Sequence, residues 1–430
     1  MKLSSSTNKE IKNASWLIGG KIIQMILSLF VSLITARYLG PGNFGLINYG
    51  LAYVSFFMSI CTLGINSVII KDFVDQPEEE GTAIGTAIIL RLISSICSAI
   101  MIIGLVAILD KNEPLTVIVT LLCTLSLPFH AFDTINYWFQ SKYKSKVTSI
   151  ATLIAYVIMS IYKIILLVLG KDVRWFAFSN AIDYICIAIC LLIAYKKYKG
   201  PKLRFSKNKA KKLLTMGYHY ILSGMMVAIY GQTDKFMLKQ MLDESVVGYY
   251  SAATSICTMW VFVLQAIIDS IYPTILQLNG KDEDGFNRKN RQLYAIVFYV
   301  SVLVSLIFTF LGDFIVRVLY GEAYLPAVEP LKIVTWYTAF SYLGVARNAW
   351  IVSKGQQKYL KYIYLVAAVL NVILNLVFIP LWGACGAAFA SLVTQIMTSL
   401  ILPCFIKDLR PNAKLMFESI IFKDVIQKKE

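Results

Sequence analysis

Charge is scarce in this chain. Only 15% of its 430 residues are Asp, Glu, Lys or Arg, whereas a soluble domain needs nearer a quarter to cover its surface, so a free-standing water-soluble fold is excluded. Histidine is rarer still, with only His130 and His219. The eight cysteines (Cys61, Cys97, Cys123, Cys186, Cys190, Cys257, Cys385 and Cys404) all fall within apolar runs and show no zinc-type spacing with either histidine. They read as small apolar side chains. No Walker loop is present, which removes a built-in ATP motor. No nucleophile–base pair stands out, and every expected outer loop is short, the largest running from about Tyr320 to Pro330. A membrane glycosyltransferase, polymerase or ligase is expected to carry a larger exposed catalytic loop.

What the chain has instead is apolar length. Hydrophobic residues make up 57% of it, with a mean hydropathy of +0.66. Runs of about twenty or more such residues recur from Trp16 to Ile406, each long enough to cross roughly 30 Å of hydrocarbon as a helix. Barrel strands would be about ten residues with alternating polarity, and helices are the remaining spanning form. The spans expected are 14–38, 43–66, 81–109, 115–139, 147–170, 174–194, 214–240, 245–278, 292–319, 331–352, 358–380 and 382–406. The expectation is therefore an all-α integral membrane protein of about twelve transmembrane helices. Met1–Ser15 is polar and lysine-bearing, and the first apolar run is too long for a cleaved signal, so an uncleaved signal-anchor is expected.

The net charge of +16 first suggests nucleic acid, but its placement argues otherwise. With both termini assigned to the cytoplasm, 30 of the 41 Lys and Arg fall on inner segments and 7 on outer loops and helix ends. That bias follows the positive-inside rule. The charge is topological, with some attraction to anionic lipid headgroups, and no nucleic-acid partner is expected.

The most basic stretch, Tyr195–Leu213, lies near the midpoint and contains the helix-breaking Gly200-Pro201. It divides an N-terminal six-helix lobe (1–194) from a C-terminal one (214–406), with 195–213 as a cytoplasmic linker and 407–430 as a cytoplasmic tail. Weak internal similarity agrees: Leu39…Asn43-Phe44-Gly45-Leu46 parallels Leu242…Val246-Val247-Gly248-Tyr249, and Phe176-Ala177-Phe178-Ser179 parallels Ala387-Ala388-Phe389-Ala390. Two repeats of this kind are a transporter arrangement. In the tail, Leu415, Met416, Ile420, Phe422, Val425 and Ile426 line one face of a short helix expected on the membrane surface.

Charges inside the spans are the candidate functional residues, since each costs roughly 2.5–3.5 kcal/mol near the bilayer centre on insertion scales. Arg91 lies near mid-depth of the third span, Lys163 in the outer half of the fifth, and Asp183 near the middle of the sixth. Asp133 and Asp269 lie toward the inner ends of the fourth and eighth, Asp234-Lys235 in the outer third of the seventh, and Arg347 near the inner end of the tenth. Lys21 and Arg37 flank the first span. One reading is a water-filled cavity between the lobes, lined by cations for an anionic group, with guanidinium suited to phosphate. The other is internal ion pairing, for example of Arg91 or Lys163 with Asp133 or Asp183. Lys21, Arg37 and Lys235 also fit simple snorkelling to the headgroups. Pro128, Pro273 and Pro403 kink their spans, either for motion or for packing. Tyr137-Trp138-Phe139, Trp175-Phe176, Tyr249-Tyr250 and Trp336-Tyr337 are expected mostly as an interfacial aromatic belt.

Thr35-Ala36-Arg37-Tyr38-Leu39-Gly40-Pro41-Gly42-Asn43-Phe44-Gly45-Leu46-Ile47-Asn48-Tyr49 closely resembles the first hairpin of Wzx-type polysaccharide flippases, in the polysaccharide branch of the multidrug/oligosaccharidyl-lipid/polysaccharide exporter superfamily. Gly40-Pro41-Gly42 supplies a tight turn, and Asn43 is placed to cap the second helix. Asp234-Lys235-Phe236-Met237-Leu238 with Val247–Ala253, and Asn371…Asn375…Ile379-Pro380-Leu381-Trp382-Gly383 through Ala388, resemble the same family more loosely. The resemblance implies a two-lobe fold like that of the MATE exporters and MurJ. It also implies a non-enzymatic flippase that moves undecaprenyl-pyrophosphate-linked oligosaccharide repeat units, by alternating access, to the outer leaflet of a bacterial cytoplasmic membrane. O-antigen, capsule or a related polymer would be the product. The implied partners are that lipid-linked oligosaccharide, membrane lipids and other polysaccharide-assembly proteins, with no cofactor beyond a coupling cation, H+ or Na+. On this reading Arg91, Lys163 and Arg347, with Lys21, Arg37 and Lys235, receive the pyrophosphate and sugars. Asp133, Asp183, Asp234 and Asp269 balance charge or bind the cation. No ligand motif of the family transfers onto these positions. The competing readings are a multidrug antiporter for organic cations, a flippase for another polyprenyl-linked envelope precursor, and a membrane polymerase or ligase.

Overall fold

The computed structural model describes residues 5–421 and contains no strand among them. Helices run α1 (Ser5–Thr62), α2 (Asn66–Asp75), α3 (Glu80–Leu109), α4 (Pro114–Thr124), α5 (Asp133–Ser141), α6 (Ser145–Val168), α7 (Val173–Lys197), α8 (Lys207–Met241) and α9 (Glu244–Thr258). They continue as α10 (Val261–Leu278), α11 (Glu283–Leu319), α12 (Val328–Ala346), α13 (Asn348–Ser353), α14 (Leu360–Trp382), α15 (Ala384–Ile396), α16 (Leu402–Phe405) and α17 (Arg410–Ile420). Ten described segments are long and apolar enough to cross a membrane. The first, Gly19–Thr62, is two crossings, because α1 breaks at Gly40 (φ 72, ψ 172) before Pro41. The α12–α13 pair, whose ends carry Glu329, Lys332 and Arg347, fills the one remaining expected position. Twelve crossings result.

The hairpin in α1 works differently from its expected cap. Gly40 adopts a positive φ that a residue with a Cβ rarely tolerates. Asn43 then donates its side-chain Nδ2 back to the Leu39 carbonyl at 3.2 Å. It satisfies an acceptor left over from the first leg rather than capping the amides of the second.

The helices are apolar outward, and their few polar side chains turn inward among an apolar core. On α3 the buried stripe is Ile84, Ile88, Arg91, Ser95, Ser98, Ile102 and Val106, a helical period. Its opposite face exposes Ile89, Ile93, Ile96 and Ile100. In water such a face would drive aggregation; in lipid it is solvated. Pro128 begins a tight 310 stretch, Leu127–Phe132, that breaks the fourth crossing between α4 and α5. Trp138 and Phe139 are buried in the core of the first unit rather than in an interfacial belt; the Trp138 indole donates to Glu80 at 2.8 Å.

The chain forms two compact units, Met1–Ala228 and Ile229–Glu430, passing from one to the other within α8. The basic stretch between α7 and α8 belongs to the first unit and is strapped onto it. Arg204 donates its amide to Gly81 O at 3.2 Å, and Ser206 its amide to Thr86 Oγ1 at 3.1 Å. A Cβ at Gly85 would stand 2.5 Å from Arg204 O, so only glycine admits so close an approach. Lys209 and Lys212 reach Asp72 at 3.0 and 2.8 Å, with the Lys209 and Asp72 side chains both almost fully buried. In the second unit α17 lies against α11. Leu415 and Met416 enter the core, Asn412 Nδ2 donates to Tyr294 OH at 2.6 Å, and Arg291 pairs with Glu418 at 2.9 Å. Phe422, Val425 and Ile426 of the expected apolar face lie outside the described residues.

Removing the carboxylate at the centre of the strap should be costly, since Lys209 then keeps only Glu79 and Gln76. Asp72→Asn is expected to destabilise the detergent-solubilised protein by about 2 kcal/mol. An unfolding midpoint equal to wild type, followed by circular dichroism on heating, would show the strap to be dispensable.

Candidate functional site

Each unit contains a polar cavity. The first, about 300 Å³, lies among α1, α6 and α7 and the 310 stretch between α4 and α5. Its wall includes Lys163, Asp183, His130, Asn180, Tyr156 and Tyr184. Lys163 makes no ion pair among the described residues, and Asp183 Oδ1 is buried with no hydrogen-bond partner. His130 Nδ1 faces Asp133 Oδ2 at 3.3 Å, its Nε2 is buried without a partner, and its ring lies 3.7 Å from that of Tyr184. Three ionisable side chains thus share one small cavity without neutralising one another directly.

Arg91 belongs to the same unit but lines no described cavity. It is 1% exposed; Nη1 donates to Thr134 Oγ1 at 3.0 Å and Nε is buried without a partner. The pairing with Asp133 or Asp183 weighed from sequence is absent among the described residues: Asp133 takes His130, and Asp183 takes neither cation within 4.0 Å.

The second cavity, about 330 Å³, is formed by α8, α9, α10, α12 and α15. Lys235 lines it, as do Tyr230, Gln232, Tyr337, Thr338 and Tyr342. Beside it Asp234, 6% exposed, is held by neutral donors. Asn375 Nδ2 and Ser391 Oγ each donate at 2.7 Å, and the Tyr250 hydroxyl donates as well. Asn371 Nδ2 donates to Ser391 Oγ, and its Oδ1 receives Asn375 Nδ2, both at 3.1 Å. Three neutral donors thus converge on one carboxylate inside an apolar bundle. Sequence reasoning singled out Asp234 but not its shell. The available signal was two asparagines one turn apart, Asn371 and Asn375, within an apolar span.

The other candidates lie elsewhere. Arg347 is 4% exposed, and its Nη1 donates to the carbonyls of Thr398 and Ser399 at 3.2 and 3.4 Å. Those residues sit in the widened helical turn Met397–Ile401, just before Pro403. Proline has no N–H, so one donor is missing from the turn before it, and the guanidinium supplies hydrogens there. Asp269 is exposed on α10 and accepts from Gln265 at 2.8 Å. Lys21 and Arg37 are exposed on α1, and neither lines a described cavity.

Two polar cavities inside two units of membrane-crossing helices define a multi-pass membrane protein of transporter architecture. The structure of the lipid II flippase MurJ in an inward closed conformation shares the fold, with a TM-score of 0.72 at 16% identity over 95% of this chain and 91% of that one. So does an inward-facing multidrug resistance MATE family transporter of the MOP superfamily, with a TM-score of 0.70 at 13% identity over 91% and 94%. The family model for polysaccharide biosynthesis proteins matches residues 11–279, and the chain belongs to that family. The MatE model matches residues 220–377. The capsular polysaccharide biosynthesis protein CapF of Staphylococcus aureus is 21% identical over 398 residues, covering 90% of this chain and 96% of CapF.

The geometry separates two cations within apolar helices, Arg347 and the partly buried Lys163, by what holds them. Arg347→Met should destabilise the purified protein by about 2 kcal/mol by stranding two carbonyls, whereas Lys163→Met, which strands nothing, should leave unfolding unchanged or raise its midpoint. Equal midpoints for both variants in a thermal unfolding series would refute the distinction.

Proposed function

We propose that this protein is a flippase for polyprenyl-pyrophosphate-linked oligosaccharide repeat units. It moves them from the cytoplasmic to the outer leaflet of a bacterial cytoplasmic membrane by alternating access, with both termini cytoplasmic. Membership of the polysaccharide biosynthesis family, a fold shared with a lipid II flippase and the inner-side bias of basic residues support the reading. One observation carries it: Arg91 and Lys163 are embedded among apolar helices with no carboxylate within 4.0 Å among the described residues. Such cations are costly to place in lipid unless an anionic ligand uses them. A pyrophosphate is such a ligand, while the polyprenyl tail stays in hydrocarbon and the sugars follow a polar path. An exporter of organic cations would instead be served by carboxylates.

In a deletion strain, the unflipped lipid-linked oligosaccharide should accumulate and surface polymer should disappear. Arg91→Ala should reproduce that loss with the protein at its normal level in the membrane. Full polymer display by Arg91→Ala would remove Arg91 from the mechanism; drug sensitivity without lipid-linked intermediate would favour the multidrug reading.

Asp234 is the proposed site of the coupling cation, Na+ or H+. Its carboxylate has oxygen-bearing neighbours in Asn371, Asn375, Ser391 and Tyr250, and no lysine or arginine within 4.0 Å among the described residues. A cation binding only the folded protein raises its stability with concentration. The unfolding midpoint should therefore rise with sodium over an equal concentration of a bulky organic cation, or with acid if the proton is used, and Asp234→Asn should abolish the dependence. A wild-type midpoint indifferent to both would leave Asp234 with a packing role only.

A further inference from the structure

The two cavities differ in chemistry, and that difference carries an inference about the second. The cavity of the first unit presents Lys163, Asp183 and His130. The cavity of the second presents Asp234 and Lys235 at one side, and otherwise hydroxyls, an amide and the rings of Tyr230, Tyr250, Tyr337 and Tyr342. Three threonine hydroxyls on its wall are committed in one direction. Thr254 Oγ1 donates to Tyr250 O at 3.0 Å, Thr258 Oγ1 to Ser255 O at 2.8 Å, and Thr338 Oγ1 to Val334 O at 3.1 Å. A hydroxyl has one hydrogen; once it is spent on the backbone, only acceptor lone pairs remain for the cavity. Gln232 Oε1, on the same wall, is buried with no donor among the described residues.

A wall rich in acceptors disfavours a phosphate, which also only accepts. It suits a ligand that brings its own O–H donors. Aromatic rings add flat apolar faces against which the C–H face of a pyranose can stack. The cavity is preorganised: Gln395 Nε2 donates to Tyr230 OH at 2.6 Å, fixing that ring. Its volume of about 330 Å³ lies at the small end of ligand pockets, which run from roughly 300 to 1,000 Å³, and fits one sugar rather than a chain.

We infer that the cavity of the second unit is a saccharide subsite, which takes one sugar residue of the repeat unit against Tyr337 and Tyr342 with its hydroxyl hydrogens directed to Gln232 Oε1 and the Thr254 and Thr338 hydroxyls. This deepens the proposed flippase function and rests on it. Lys235, the one cation on that wall, would meet an acidic substituent where the sugar carries one.

The test uses the full-length protein in nanodiscs and two probes: repeat-unit oligosaccharide cut from the source strain's surface polymer, and inorganic pyrophosphate. Gln232→Ala and Thr338→Val should each weaken oligosaccharide binding about tenfold and leave pyrophosphate binding unchanged. Thr338→Ser, which keeps the hydroxyl, should bind like wild type, so a fold defect in either variant is separable from a lost contact. Wild-type oligosaccharide affinity in both variants overturns the subsite, as does failure of the wild-type protein to bind the oligosaccharide. A selective loss of pyrophosphate affinity reassigns the cavity to phosphate. Accumulation of lipid-linked intermediate in the deletion strain tests the flippase reading separately, so a flippase without this subsite is distinguishable from a protein that is no flippase.

Discussion

Hydrocarbon offers no hydrogen bonds, and that constraint organises the whole molecule. Every backbone polar group must be paired within the protein, which makes the chain helical, and every break in a helix needs a side chain to repair it. Asn43 repairs the hairpin at Gly40 by donating to Leu39 O. Arg347 repairs the turn before Pro403 by donating to Thr398 and Ser399. Serine and threonine hydroxyls return to their own helix, as with Thr124 to Thr120 O and Ser301 to Val297 O. Polar groups that are satisfied in this way belong to the architecture. Others are left without a protein partner in the same low-dielectric surroundings, and of these Asp183 Oδ1, His130 Nε2 and Gln232 Oε1 belong to residues that line a cavity, where a ligand can reach them.

Sorting buried polar atoms in this way separates side chains that look alike in composition. Arg91 and Arg347 are both arginines within apolar helices and both nearly inaccessible. Arg347 faces main-chain carbonyls in the turn where Pro403 leaves one donor missing, whereas Arg91 touches one threonine hydroxyl. Asp183 and Asp234 differ in the reverse sense. Asp234 accepts from Asn375, Ser391 and Tyr250, while Asp183 has a buried oxygen with no donor. An ionised group that is already solvated by protein dipoles can accept a second ligand without a large penalty. An unsolvated one depends on what enters the cavity.

Depth was legible in the sequence, and direction was not. Apolar run lengths placed all twelve crossings, because hydropathy averages over a whole helix and needs no knowledge of neighbours. The Gly40-Pro41 hairpin was legible for the same local reason. Which way a side chain points around its helix depends on packing partners far away in the chain. Trp138-Phe139 therefore looked interfacial but is core, and the carbonyls of Thr398 and Ser399 to which Arg347 donates could not be read from its own span. The shell of Asp234 draws on α9, α14 and α15, three segments that no local pattern joins. The same limit applied to α17, whose apolar face fitted a membrane surface as well as it fits α11.

The loose constraint that lipid places on outward positions also explains how the fold persists at 16% identity to MurJ. A residue such as Ile93 or Phe310, open to the surroundings, needs only to be apolar, so many sequences satisfy it and identity falls without cost to the architecture. Specificity must then reside in the few inward polar positions, and these are set by chemistry rather than by fold. A shared architecture does not carry a substrate from one such protein to another. The substrate has to be read from the cavities themselves, where one unit offers unpaired ionic groups and the other a wall of acceptors and aromatic rings. Each cavity is thus distinguished by its own side chains, Lys163, Asp183 and His130 in one and Asp234, Lys235 and four tyrosine rings in the other, and not by the helices that carry them.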